Sequence, residues 1–249
     1  MPVRIGSRSA TLPFDWDDPE TWAPALAGMG AAYITYQPDL AVPGAVEAVR
    51  LFTDLALRSG VRRLVLLSGR GEEEAQRAEQ VLQDSGAEWT ILRASWFAQN
   101  FSESFLLDAV LAGTVALPAD GVAEPFIDVD DIADAAIAAL TDDRHVGQLY
   151  ELTGPRLLTF SEAVSEIAAA TGRTLRYEEI SPEHYAAMLE GAGVPADYAA
   201  LVHYLFTTVL DGRNAHVTDG VERALGRRPR DFADYVRDAV GSGIWEVRS

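Results

Sequence analysis

Short apolar runs alternate with amphipathic stretches through the first half of the chain. The runs at 31–35, 64–67 and 89–92 are mostly apolar, which is typical of strands buried in a parallel sheet. The segment after the first run carries apolar residues at helical spacing and is followed by Gly60, a residue type that favours the end of a helix. The segment after the second run opens with three glutamates, which suit a first helical turn. We therefore predict two consecutive β-α-β units.

The pattern changes after Arg93, where aromatic residues become frequent. We predict strands at 148–152 and 175–180, and a helix that starts at Thr159 or Ser161. The chain is thus expected to be an α/β protein in which a parallel sheet is joined to a small, mostly helical C-terminal lobe. The predicted domains are 1–152, which binds a nucleotide, and 153–249, the substrate-side lobe, parts of which are interleaved with the sheet.

Composition excludes several classes of chemistry. The 249 residues contain no cysteine, and all twenty basic residues are arginine, so the sequence has no lysine. Thiolate nucleophiles, cysteine-ligated metals, Schiff bases and a Tyr-x-x-x-Lys pair are therefore excluded. The formal charge of −18 repels polyanions and anionic lipid, so we expect neither nucleic acid nor a membrane as a partner. No apolar run is long enough for a membrane span, and we expect a cytoplasmic location.

Two further sequence features are only weak evidence for a binding site. Gly69-Arg70-Gly71 follows a predicted strand and precedes a predicted helix, as a phosphate-binding turn would, but the third glycine position of such a turn is Glu74. We interpret it as a structural turn. The four histidines have no spacing that would form a metal-binding pair, so no metal site is predicted.

Several sequence blocks carry a family resemblance when they are taken in order. They are Leu64-Val65-Leu66-Leu67-Ser68, Trp89-Thr90-Ile91-Leu92-Arg93, Ser95-Trp96-Phe97, Pro125-Phe126-Ile127-Asp128, Tyr150-Glu151-Leu152-Thr153-Gly154-Pro155 and Leu225-Gly226-Arg227-Arg228-Pro229. Together they resemble the NmrA-like branch of the atypical short-chain dehydrogenases/reductases. The similarity is nearest to bacterial relatives of the ergot-alkaloid-pathway imine reductases, the festuclavine dehydrogenase type. The resemblance implies a Rossmann-like sheet and NADP(H) as cofactor.

The same resemblance places residues 3–8 on the family's second strand and the turn after it. The family's first β-α unit, with its glycine-rich turn, then has no counterpart in this sequence. Either the start of the gene is misassigned, or the protein rebuilds its sheet, for which a homodimer through the gap is one solution. NADP(H) binding is accordingly expected to be weak or absent in this truncated chain.

When the sequence is matched to the family, the cofactor-binding positions fall at the ends of strands. Ser7 and Arg8 match the turn that receives the ribose 2′-phosphate, and arginine suits a phosphate dianion. The remaining cofactor positions are Asp15 and Trp16 near the adenine, Thr35 and Tyr36 beside the ribose and nicotinamide, and Ser68, Gly69 and Arg70. The alternative is that Arg8 is a solvated surface charge and Asp15 shapes a turn.

For catalysis, the resemblance leaves no ordinary proton donor. Gln76 and Gln80 occupy the positions of the tyrosine and lysine of the ordinary short-chain mechanism, and an amide is no general acid. Ser68 and Tyr36 are the candidate catalytic residues. Alternatively, Ser68 only ends its strand with a hydrogen bond. An iminium substrate would need little help from an acid, because its positive nitrogen already attracts a hydride.

The substrate-side candidates come from the aromatic stretch and the lobe. They are Trp96, Phe97, Asn100, Phe101 and His184. A pocket wall and plain core packing both explain the aromatic members, and a lone histidine on a helix is more often structural.

Three functions are compatible with this sequence. The first is an NADP-dependent reductase that passes hydride to an imine, carbonyl or enone of a medium-sized hydrophobic molecule, in secondary metabolism. The second is a cofactor-independent, redox-neutral enzyme, such as a cyclase, isomerase or hydratase, on a degenerate Rossmann scaffold. The third is a non-catalytic NmrA-like sensor or interaction protein.

Overall fold

The computed structural model describes residues 3–119 and 121–246. The strands are β1 (Ala31–Ile34), β2 (Arg63–Gly69), β3 (Glu88–Ala94), β4 (Thr114–Leu117), β5 (Ala123–Glu124), β6 (Gln148–Leu152), β7 (Leu158–Thr159) and β8 (Arg176–Glu179). The helices are α1 (Trp22–Leu26), α2 (Ala45–Arg58), α3 (Glu73–Asp84), α4 (Asn100–Glu103), α5 (Leu107–Ala112), α6 (Val129–Thr141), α7 (Phe160–Thr171), α8 (Pro182–Gly191), α9 (Ala196–Tyr204), α10 (Gly220–Leu225) and α11 (Phe232–Ser242). Short turns of 3₁₀ helix lie at Pro19–Thr21 and Asp143–His145, and a π-helical turn lies at Leu205–Val209.

The main sheet has four strands in the order β1-β2-β3-β6. β1 and β2 are parallel, with Ala31 opposite Arg63 and Ile34 opposite Leu66. A parallel pair β4-β8 and an antiparallel pair β5-β7 form two smaller sheets. The predicted α/β class with a parallel sheet is confirmed, and each strand predicted from the hydrophobic pattern coincides with an observed one to within a few residues.

Local sequence explains where the helices start. In α3 the first turn contains Glu73 and Glu74, as the helix dipole favours. For α7 the sequence offers Thr159 or Ser161 as the N-cap. The structure shows that Thr159 is the N-cap and forms a capping box with Glu162. The Thr159 Oγ1 accepts the Glu162 N–H at 3.1 Å, and Glu162 Oε2 accepts the Thr159 N–H at 2.8 Å.

The strand that the resemblance implied within residues 3–8 is wrong. This segment has no regular secondary structure, and Val3 and Ile5 are 80% and 73% exposed. The carbonyl oxygen of Ser7 instead accepts the N–H groups of Ala10 and Phe14, at 3.1 and 3.0 Å, which closes a turn. β1 is the last strand on its side of the four-stranded sheet, and residues 3–8 do not pair with it.

The chain forms two compact units. The first comprises the described residues up to Arg93 together with Ala135–Tyr150, and the second comprises Ala94–Asp134 and the described residues from Glu151 onwards. Each has its own apolar core. The domain boundary predicted from the sequence, at residue 152, stays a prediction.

Candidate active site

The carboxyl ends of β1 and β2 form one edge of the sheet in the first unit. The parallel register pairs Ile34 with Leu66, so Tyr36 and Ser68, each two residues further along, lie at the same edge. Open α/β sheets bind their ligands at this edge. The structure therefore brings together the predicted residues Thr35, Tyr36 and Ser68 at a position suited to chemistry.

Ser68 belongs to a buried hydrogen-bonded group with two charged residues. Its hydroxyl donates to Glu79 Oε1 at 2.6 Å, and the Arg93 Nε–H donates to the same oxygen at 2.9 Å. The Arg93 Nη2 also contacts Glu79 Oε2. Glu79 is only 2% exposed, so this pair neutralises a charge that could not otherwise be buried. Because the Ser68 proton is committed to Glu79, its hydroxyl is available to a substrate chiefly as a hydrogen-bond acceptor.

Two further carboxyl groups, those of Glu72 and Asp39, belong to the same edge. Glu72, the residue at the N-cap position of α3, is 7% exposed, and its electrostatic neighbours include Asp39 from the loop after β1. Asp39 is half-buried, and its Oδ1 accepts the Ala41 N–H at 2.8 Å. Burial raises the pKa of Glu72 well above its ordinary value, and the negative charges of Asp39 and Glu79 raise it further.

The Gly69–Gly71 turn does not fit a diphosphate. The carboxyl group of Glu72 lies over Gly69 so closely that a Cβ placed there would be 2.0 Å from its Oε1. The space that a phosphate would need is thus filled by an acidic side chain of the protein itself. Arg70 is buried at 4% exposure. This geometry agrees with the interpretation, made from the sequence, that the segment is a structural turn and not a phosphate-binding one.

Aromatic packing surrounds Tyr36. Its ring centroid is 5.0 Å from that of Trp16, and the Trp16 Nε1–H donates to the carbonyl oxygen of Thr35 at 3.0 Å. Burial raises the pKa of Tyr36, and the negative charge of Asp17 adds to the effect. The Tyr36 phenol is therefore protonated at neutral pH, but its raised pKa makes it a weak acid.

The other adenosine-side candidates lie in turns. Asp15 Oδ1 accepts the Asp17 N–H at 3.1 Å, and the Asp15 carbonyl accepts the indole N–H of Trp22 at 2.7 Å, so Asp15 has a turn-forming role. Ser7 Oγ is 3.0 Å from Ser9 Oγ. Arg8 is exposed and makes no ion pair with any other residue that the structure describes. An exposed guanidinium without such an ion pair is suited to binding a ribose 2′-phosphate.

The substrate-side candidates all belong to the second unit. Phe101 is fully buried among Phe126, Phe160 and Phe232, whose ring centroids lie 5.7, 6.0 and 5.7 Å from its own. Its position is that of a core residue. His184 is exposed on α8.

Three candidates in this unit keep partial exposure, namely Trp96, Phe97 and Asn100. Trp96 packs on Phe160 and Phe206, and Phe97 forms a parallel bridge with Ile127. Partial exposure leaves these side chains able to contact a ligand, so their assignment to a substrate pocket stays a prediction.

Two kinds of site are not found in the described ranges. No three histidine, aspartate or glutamate side chains there gather closely enough to hold a metal ion. None of the helices in residues 3–119 and 121–246 combines the length and apolar content that crossing a bilayer requires.

Sequence reasoning missed Asp39, Glu72 and Glu79 as members of this edge. One signal was available for Glu79, because it occupies the helix face that Ala75, Ala78 and Leu82 bury. A carboxylate on an apolar helix face needs a buried partner. Asp39 had no comparable signal.

Comparison with known proteins identifies a family and a fold. Residues 73–236 match the model of the NmrA-like family. Agroclavine dehydrogenase of Claviceps fusiformis is 31% identical over 266 aligned residues, covering 100% of this chain and 91% of that protein.

Two solved structures share the fold. The NADPH complex of an NADPH-dependent quinone oxidoreductase from Escherichia coli has a TM-score of 0.77 at 21% identity, covering 92% of this chain and 83% of the other. The NADP(H) complex of a triphenylmethane reductase from Citrobacter sp. has a TM-score of 0.76 at 19% identity, covering 90% and 82%.

Proposed function

This chain belongs to the NmrA-like family, and on that premise we propose that it is an NADPH-dependent reductase. It transfers a hydride to a C=N, C=O or C=C bond of a medium-sized hydrophobic molecule. The observation that carries the proposal is the similarity, over the whole of this chain and 91% of the relative, to a protein named as a dehydrogenase. The edge at the ends of β1 and β2, with Thr35, Tyr36 and Ser68, supports it because the reacting groups of such a fold meet there.

The residues fit the adenosine part of the cofactor and not its diphosphate. Arg8 and Ser7 would hold the 2′-phosphate, and Trp16 and Tyr36 offer aromatic surface beside it. The Gly69 turn, which Glu72 fills, offers the diphosphate no place. When bound, the nicotinamide supplies the hydride. Ser68 and Tyr36 orient the acceptor, and the neighbouring aromatic side chains exclude water.

Cofactor binding tests this proposal directly. Titration of the purified protein with NADPH, followed by nicotinamide fluorescence, should give saturable binding. Because Arg8 would form charge-assisted hydrogen bonds to the 2′-phosphate, Arg8→Ala should weaken NADPH binding about tenfold and leave NADH binding unchanged. Arg58→Ala, at another exposed arginine, is the matched control. Absence of binding at millimolar NADPH would overturn the proposal.

One observation favours a second function. Because Glu72 occupies the turn that would otherwise accept phosphate, the same edge suits a redox-neutral enzyme that uses a carboxylic acid for cyclisation, isomerisation or hydration. A nicotinamide cofactor that co-purifies with the folded protein would exclude this second function.

A further inference from the structure

An open groove of about 560 Å³, here called the α3 groove, follows helix α3 in the first unit. Three of the six glutamines in the chain line it, namely Gln76, Gln80 and Gln83. Their spacing of four and then three residues places them on one face of the helix. The other described residues that line the groove are all glutamate or arginine. A ligand of this groove must therefore bind through polar contacts, because hydrophobic burial has little surface to act on.

The charged side chains of the α3 groove are already paired. Two glutamates and two arginines are among its described lining residues, so their formal charges cancel. The Nε–H of Arg93 donates to Glu79 Oε1 at 2.9 Å, and Arg77 pairs with Glu74 on the same helix. The charge of Glu73 is exposed to solvent and is screened by salt. A charged ligand would have to compete with these ion pairs, which disfavours carboxylates and ammonium groups.

The glutamine amides, by contrast, keep free hydrogen-bonding capacity. The Gln80 Nε2–H donates to Asp84 Oδ1 at 2.9 Å. Gln76 and Gln83 form no side-chain hydrogen bond with another residue that the structure describes. Each amide offers one acceptor oxygen and two N–H donors. A neutral ligand with hydroxyl or amide groups is both donor and acceptor, so it can satisfy these amides without breaking an ion pair.

The buried part of the α3 groove is fixed before any ligand arrives. The side chain of Glu79 is only 3% exposed and that of Arg93 is 18% exposed. Glu79 Oε1 also accepts the Ser68 hydroxyl at 2.6 Å. Because these bonds already hold Glu79 and Arg93, binding does not have to order them, which lowers its entropic cost.

We propose that the α3 groove binds a neutral molecule with several hydroxyl or amide groups, about the size of one or two sugar rings. The volume of the groove lies in the range of about 300–1,000 Å³ that small-molecule sites occupy. Gln76 and Gln83 supply the directional contacts that recognise this ligand. The proposal goes beyond the reductase function and does not depend on it, because no nicotinamide cofactor takes part.

Protein NMR with three probes built on the same sugar ring tests the class of ligand. N-acetylglucosamine is neutral and carries an amide, glucosamine is a cation at slightly acidic pH, and glucuronate is an anion. N-acetylglucosamine should shift the side-chain amide signals of Gln76 and Gln83 saturably. A few neutral hydrogen bonds correspond to a Kd of about 1 mM. Both charged probes should bind at least about tenfold more weakly, since they gain no unpaired partner.

Glutamine substitutions test the position of the site. Gln76→Ala and Gln83→Ala should each weaken binding of N-acetylglucosamine about fivefold, because each removes one neutral amide contact. Alanine favours a helix, so α3 should persist, as circular dichroism would verify. Gln37→Ala is the matched control, because Gln37 is exposed and does not line the groove. This variant should bind N-acetylglucosamine as the wild type does.

Several results would overturn the proposal. One is the lack of a saturable shift with all three probes up to about 100 mM, a concentration far above the expected Kd. Another is equal affinity for the three probes, which would show contact without recognition. Tighter binding of glucosamine would make the groove a cation site at Glu73. Equal losses in Gln76→Ala and Gln37→Ala would place the binding elsewhere.

Discussion

Removing the guanidinium of Arg93 should destabilise the first unit because it leaves Glu79 buried without its cation. The Glu79 side chain is 3% exposed and that of Arg93 is 18% exposed. Arg93→Met keeps most of the apolar stem and removes the Nε–H bond of 2.9 Å together with the Nη2 contact, so that the Ser68 hydroxyl is the donor that remains from this group. Breaking a buried pair on one side costs about 3–5 kcal/mol. We expect about 3 kcal/mol, the lower end of the same range, because Ser68 stays and Arg93 borders solvent.

Urea denaturation measures this cost as a shift in the midpoint at constant m-value. Arg77→Met is the matched control. Arg77 pairs with Glu74 on the surface of α3, with side chains 63% and 39% exposed. Its loss should cost less than about 0.5 kcal/mol.

A double variant separates loss of the pair from loss of packing. In Arg93→Met/Glu79→Leu neither charge of this pair remains, so most of the stability should return. The reasoning fails if Arg93→Met unfolds at the wild-type midpoint, or if the double variant is no more stable than the single one.

Three further predictions concern the site and the cores. Gly69→Ala should displace the Glu72 carboxyl, since the added Cβ would be 2.0 Å from its Oε1, and urea denaturation should show a lower midpoint; an unchanged midpoint would contradict the geometry. Burial and the charge of Arg144 lower the pKa of His145 below 6.5, so unfolding measurements should show stability falling as the pH drops below 6.5, less steeply in His145→Asn; equal slopes would refute this. Phe101→Ala should cost about 3–5 kcal/mol in urea, as a core truncation does, and Phe97→Ala clearly less; equal costs would contradict the burial difference.

The sequence alone determined the elements and the family. Apolar runs predict β2 and β3 because a strand covered on both faces must be mostly apolar. Thr159 and Ser161 were both recognisable as possible caps because capping depends on residues a few positions apart, and the structure shows that Thr159 is the cap. The NmrA-like resemblance, confirmed by the family match, rests on local blocks of residues. Such features depend on neighbours in the chain and are readable without a structure.

Only the tertiary structure decided which distant groups meet. Tyr36 and Ser68 are far apart in sequence, and they lie at one edge because β1 pairs with β2 in a register that ends both strands there. Glu79 and Arg93 meet because α3 packs beside the strand that follows it. The implied strand within residues 3–8 failed for a related reason: a strand forms where a neighbouring ladder satisfies its backbone, and segment composition does not specify that neighbour. Pairing between distant elements, which periodicity cannot encode, therefore decided the chemistry of this edge.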